Sequence, residues 1–129
     1  MLINLSNHPS ANWSSQQLVA AQVFGKIIDL PFPYVQPDGD EKEILLLCEE
    51  YLQKIDAIIR DGACPVSTVT VHIMGEMTFC FAMVNALQRR GISCVVSTTE
   101  RVVTEKNGLR TSEFHFKQFR KYINESNVL

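Results

Sequence analysis

No apolar run in this sequence approaches the roughly 18 residues needed to span a bilayer, so no membrane-spanning helix is expected. The opening MLINLSNHPS carries neither a basic n-region nor a long apolar h-region. No signal peptide is read there, and the cytoplasm is the expected compartment. Neither sign of charge dominates: 12 basic against 14 acidic residues leave a net charge of −2, too little field to attract long nucleic acid. A small anion held by backbone groups is still compatible with that balance. The four cysteines, Cys48, Cys64, Cys80 and Cys94, form no C-x-x-C pair, so a zinc site lacks its usual close ligand pairs. Three of them fall in expected helix or strand, where a reduced cysteine packs as a small apolar residue. No carboxylate cluster for magnesium and no nucleophile elbow are present, so no metal and no cofactor are expected.

What is present is 129 residues, enough for one domain with a core that needs no staples. The most informative stretch is Val69 to Thr99, VTVHIMGEMTFCFAMVNALQRRGISCVVSTT. A β-branched run ends at Gly75, an apolar helical pattern follows, and a second β-branched run begins after Gly91. That is a βαβ unit. Its strand-to-helix turn, Gly75-Glu76-Met77-Thr78, lies at the carboxyl end of a parallel sheet, where open α/β sheets bind their ligands and helix N-termini offer free N–H groups.

The flanking pattern extends the alternation. Leu2 to Leu5 reads as a first strand and Ser6 to Ser10 as a polar loop, because Pro9 pushes His8 out of helical geometry. Ser14 or Ser15 caps a helix over about Ser15 to Phe24, which Gly25 stops. Lys26 to Leu30 is a second strand, followed by an extended loop through Gly39. Asp40 caps the longest helix, about Glu41 to Arg60, whose apolar residues keep the helical period. Strand three covers about Thr68 to Met74, helix three about Met77 to Arg90, and strand four about Ser93 to Ser97. Arg101 to Glu105 and Ser112 to Phe119 then form a C-terminal hairpin around Lys106-Asn107-Gly108, since Asn-Gly is a strong turn signal. Phe114, Phe116 and Phe119 are expected on one face of it. The order β-α-β-α-β-α-β plus a β-hairpin predicts an α/β three-layer sandwich on a mainly parallel sheet with right-handed crossovers.

If strands one and three are neighbours, their following loops meet. Ser6, Asn7, His8 and Ser10 then face Gly75, Glu76, Met77 and Thr78, and a loop after strand four adds Thr98, Thr99, Glu100 and Arg101. Hydroxyls, amides, an imidazole and an arginine around a helix N-terminus suit phosphate and ribose. Each residue also has a structural reading. Gly75 serves either close ligand approach or turn conformation. Glu76 favours the helix dipole, and its charge turns the site from a phosphate cradle toward a ribose hydroxyl or an adenine amino group. Thr78 is either a ligand contact or a first-turn residue. His8 is the best general acid or base, against a loop histidine bonded to backbone. His72 reads as a satisfied core residue and His115 as solvent-facing. Trp13 packs or stacks a base, and Arg101 binds phosphate or makes a surface ion pair.

A strand-one Ser/Asn loop (LSNHPS) and a strand-Gly-x-x-Thr-helix unit (MGEMTF) resemble the CRISPR-associated Rossmann-fold (CARF) domains. At this length the resemblance is closest to the stand-alone CARF-like proteins of type III CRISPR systems, some of which are ring nucleases. It covers about Met1 to Arg101 in architecture, and it departs at Glu76 and Met77, where many such domains carry a second glycine and a lysine. The resemblance implies a Rossmann-like fold and a homodimer that binds cyclic oligoadenylate. It also implies metal-independent cleavage by attack of the ligand's 2′-hydroxyl on the adjacent phosphodiester, an off-switch for antiviral signalling. His8 would then assist proton transfer and Arg101 would stabilise charge. Ser6, Asn7, Ser10, Gly75, Glu76, Met77, Thr78, Thr98 and Thr99 would hold the ligand. A non-catalytic sensor of the same ligand and a small α/β interaction subunit without a nucleotide are the alternatives.

Overall fold

The computed structural model describes residues 1–127. Eight regular elements alternate along the chain: β1 (Leu2–Ser6), α1 (Ser15–Ala21), β2 (Ile27–Asp29), α2 (Glu41–Asp61), β3 (Thr70–Met74), α3 (Met77–Arg89), β4 (Ser93–Lys106) and β5 (Leu109–Lys121). Local chemistry sets the helix starts. Ser14 Oγ accepts from Gln17 N at 3.1 Å, and Asp40 Oδ1 accepts from Lys42 N and Glu43 N at 3.0 and 3.2 Å, which fills N–H groups that no helical carbonyl can reach. The first helix is shorter than its sequence pattern: Gln22–Phe24 tighten into a 3-10 turn before Gly25, whose φ is 90°.

The strands form one five-stranded sheet in the order β2-β1-β3-β4-β5. The β1–β2, β1–β3 and β3–β4 pairs are parallel and β4–β5 is antiparallel. The fold is therefore α/β on a mixed sheet. The order is not that of the dinucleotide-binding fold; its parallel part, β2-β1-β3-β4, switches direction between β1 and β3, and β5 closes the edge antiparallel. Those two strands are neighbours, with Ser6 opposite Met74.

Period-2 alternation sends apolar residues to both faces. Ile3, Leu5, Val71, Ile73 and Cys94 join α2 and α3 in the larger core, where Phe79 is fully buried against Phe32 and Tyr51 with rings edge-on. Leu2, Val95, Trp13 and Ala21 form a smaller core with Phe119 on the α1 face. All four cysteines are free, with Cys48, Cys80 and Cys94 buried; burial pushes the Cys80 and Cys94 thiols up to about 12. Among the described residues no helix is long and apolar enough to cross a membrane.

The last third of the chain corrects the sequence expectation. No loop follows Ser97. Thr98, Thr99, Glu100 and Arg101 continue β4 without a break, each paired to β5 opposite Gln118, Phe116, His115 and Phe114. The β-branched run Val95, Val96, Thr98, Thr99, Val102, Val103 suits an extended chain, and β5 supplies the partner the sequence could not name. β4 is thus the first arm of the hairpin, turned by Asn107 and Gly108 at φ 54° and 78°, the geometry of a type I′ turn. β3 accompanies β4 only to Val95, so the rest of the hairpin projects as a two-stranded ribbon. A bulge opposite Thr98/Thr99 resets the side-chain parity. It brings Phe116 and Phe119 to the same face with rings 5.0 Å apart.

Candidate functional site

Asp29, Asn4 and His72 sit directly across from one another on β2, β1 and β3, and Ser97 lies two residues beyond Val95, the β4 partner of His72. The four make a polar stripe across the α1 face of an otherwise apolar sheet. Asn4 and His72 are each only 1% exposed, and a buried polar group is costly unless bonded. Here every polar group is bonded. Asn4 Nδ2 donates to Asp29 Oδ1 at 2.8 Å and to the His8 carbonyl at 2.9 Å. Its Oδ1 takes the Ser6 hydroxyl and His72 Nδ1, both at 2.8 Å. The far side of the imidazole, Nε2, meets Ser97 Oγ at 2.7 Å, and Gln17 Nε2 donates to that same oxygen at 3.0 Å.

The rings of Trp13 and Phe119 stand edge-on to His72 at 5.4 Å each. Burial and the neighbouring His8 push its pKa down to about 4, so the imidazole is neutral at physiological pH. At Asp29 burial pushes the carboxyl up, but hydrogen bonds from Asn4 and Ser10 outweigh it and hold the pKa below the ordinary value.

Above this stripe opens a cleft of about 680 Å³, bounded by the His8–Gln17 segment on one side and the hairpin on the other. His8, Trp13, Ser97, Thr99, Phe114 and His115 all line it, and its size is that of a small-molecule site. Hydroxyls, amides, two further imidazoles and aromatic faces are on offer. Among the described lining residues there is no lysine or arginine.

The sequence-selected residues divide between two places. His8 and Thr99 line the cleft. Ser6 is adjacent but buried, its hydroxyl spent on Asn4 and its oxygen accepting from His8 N. Ser10 is bound through both N and Oγ to Asp29. Asn7 turns the other way, into a small depression of about 320 Å³ shared with Glu76 and Phe32.

The helix N-terminus there is already filled. Glu76 is its own N-cap, accepting from Thr78 N and Phe79 N at 2.9 Å each, and the Thr78 hydroxyl also donates to it. The Thr78 hydroxyl and the Phe79 N–H hold the Glu76 pKa down. A carboxylate thus occupies the position an incoming anion would take. Gly75 is approached by protein, since a Cβ there would overlap the Phe32 ring. Met77 is exposed and offers a thioether to solvent. Thr98 is tied to Gln118 along the strand. Arg101, exposed on the ribbon, donates from Nε and Nη2 to Ser112 Oγ and does not reach the cleft.

Sequence reading passed over Asn4, Asp29 and Ser97 and took His72 only as core. The available signal was parity: Asn4 in L-I-N-L-S and His72 in V-H-I are polar residues at inward positions of buried strands. That marks a stripe, though not which residues of other strands complete it.

Neither the curated proteins nor the solved structures hold a match to this sequence. A family model does match, over residues 1–120, described as the uncharacterized protein MJ1673 family. With nearly its whole length covered, the chain belongs to the MJ1673 family.

Proposed function

We propose that this protein is a cytoplasmic, CARF-like member of the Rossmann-like three-layer class. In this reading it binds a cyclic oligoadenylate in the cleft on the α1 face and cleaves it through the ligand's own 2′-hydroxyl. The observation that carries the reading is the cleft itself. It lies beside the β1/β3 switch point, where open sheets take ligands, and it sets stacking rings (Trp13, Phe114) beside groups that bond ribose and base edges (Gln17, Thr99). Such cleavage asks the protein for in-line positioning and proton transfer, and His8, at the cleft wall, suits the leaving 5′-oxygen.

In this reading the ligand is shared by two copies, as the resemblance to the homodimeric CARF-like proteins implies. The second copy is assigned to the ribbon, where Phe114 and Leu109 are 68% and 71% exposed; a two-stranded ribbon is marginal alone. Incubation with cyclic tetra- and hexa-adenylate in EDTA, with products resolved by chromatography and mass measured in solution, tests the reading. Linear products ending in a 2′,3′-cyclic phosphate from a dimer are expected. Binding without cleavage would leave a sensor, and no binding of either ring would sink the proposal.

A second reading, an interaction subunit without a nucleotide, draws on the absence of lysine and arginine from the described cleft lining. It predicts a melting temperature that no nucleotide shifts.

A further inference from the structure

The hydrogen positions in the polar stripe follow from its acceptors. Asp29 carboxylate and the His8 carbonyl can only accept, so the Asn4 group between them must be its NH₂. Oδ1 therefore faces His72 and can only accept, which places a proton on His72 Nδ1. In the neutral ring Nε2 is then a bare acceptor, and among the described residues the hydrogen it takes is that of Ser97, 2.7 Å away. Ser97 Oγ accepts one further hydrogen, from Gln17. One lone pair is left, and Ser97 lines the cleft. Its hydroxyl cannot donate to a ligand without leaving the imidazole, so toward the cleft it is an acceptor backed by a base.

We propose that Ser97, His72 and Asn4 form a proton relay in which Ser97 Oγ removes the proton from a hydroxyl nucleophile bound in the cleft. That this hydroxyl is a ribose 2′-OH rests on the function proposed above. As the 2′-oxygen bonds to phosphorus, its proton passes to Ser97 Oγ and the Ser97 proton passes to His72 Nε2. The P–O5′ bond breaks, and the leaving oxygen takes a proton from His8 or from water. His72 afterwards returns its proton through Ser97 to solvent, and His8, or the hydroxide left by the water, regains one from solvent, so the protein ends as it began and the ring has isomerised to a linear 2′,3′-cyclic phosphate. Ser97 is the catalytic residue. His72 and Asn4 are positioning residues: Asn4 holds the tautomer, and Asp29 behind it holds Asn4.

Two assays on the full chain test the relay. The first uses a biotinylated fluorophosphonate, which needs no knowledge of the ligand: Ser97 Oγ bonds to phosphorus, fluoride leaves, and the proton goes to His72. Labelling mapped to Ser97 is expected, falling at least ~100-fold in His72→Gln. The second measures binding and cleavage of both rings in EDTA. Ser97→Ala should cut the cleavage rate about 10²–10³-fold with affinity held within about threefold, and Ser97→Thr, which restores the hydroxyl, should recover much of it. Should His72→Gln not fold, Ser97→Ala and Ser97→Thr still decide, because Ser97 is only half-buried. Unlabelled Ser97 in folded wild type overturns the relay, as does a Ser97→Ala variant that cleaves at the wild-type rate. If neither ring binds, the proposed function falls, and labelling alone then supports or overturns the relay.

Discussion

The neutral buried imidazole has a thermodynamic signature that can be measured without any ligand. His72 is 1% exposed, and its pKa falls from 6.5 to about 4 on folding. Between those values the unfolded chain binds a proton that the native chain refuses, so stability must rise with pH across that window. The stabilisation tied to neutral His72 is complete above about pH 6.5 and is lost as pH falls toward about 4. At about 1.36 kcal/mol per pKa unit, a drop from 6.5 to about 4 corresponds to about 3 kcal/mol. That is a large fraction of the stability of an ordinary domain.

Urea unfolding of wild type and His72→Gln at several pH values through this window isolates the effect. The variant starts lower at neutral pH, because glutamine cannot serve Asn4 and Ser97 together and leaves a buried group unpaired, at about 1–3 kcal/mol. As pH falls, wild type should lose about 3 kcal/mol more than the variant, which closes the initial gap or reverses it. Parallel pH dependences would refute the depressed pKa of His72.

Three further outcomes follow from the α3 terminus and the ribbon. Gly75→Ala puts a methyl into the Phe32 ring on a backbone at φ 158° and should destabilise by about 1–3 kcal/mol; in a double-mutant cycle Phe32→Leu should relieve the part due to the ring and leave the backbone strain, and full additivity would show the ring is not an obstacle. Glu76→Ala removes the N-cap of α3 and should cost about 1 kcal/mol by thermal or urea unfolding, with ring affinity unchanged; a large loss of affinity would return the ligand to Gly75. Arg101→Ala, which frees only an exposed contact to Ser112, should change stability by no more than about 0.5 kcal/mol and leave ring cleavage at the wild-type rate.

The elements legible in the sequence were those with a local cause. Asp40 ahead of a 3.6-period apolar stripe marked α2, Asn107-Gly108 marked the hairpin turn, and glycines bounded the βαβ unit around α3. The end of strand four was misread because nothing local distinguishes a β-branched segment with a partner from one without. Val95 to Lys106 is one strand because β5 pairs with it throughout. The Gly75 turn was found, but its occupant was not. That Glu76 folds back onto its own helix and Phe32 covers the glycine depends on χ angles and on a loop more than 40 residues upstream.

Periodicity, caps and turns are properties of neighbouring residues, so the chain alone was enough to specify the α/β alternation and the core-facing positions, whereas the adjacency of β1 and β3 was decided by the sheet. The chemistry of the site belongs to a different order of information. Asp29, Asn4, His72 and Ser97 are scattered over more than 90 residues and gain meaning only when strand order β2-β1-β3-β4 and register lay them side by side. The proton on His72 Nδ1, the depressed pKa and the lone pair left on Ser97 then follow from burial and from which atoms can only accept. Burial and fixed hydrogen-bond geometry arise when strands pack, which is why a histidine that reads as core in one dimension becomes the centre of the site in three.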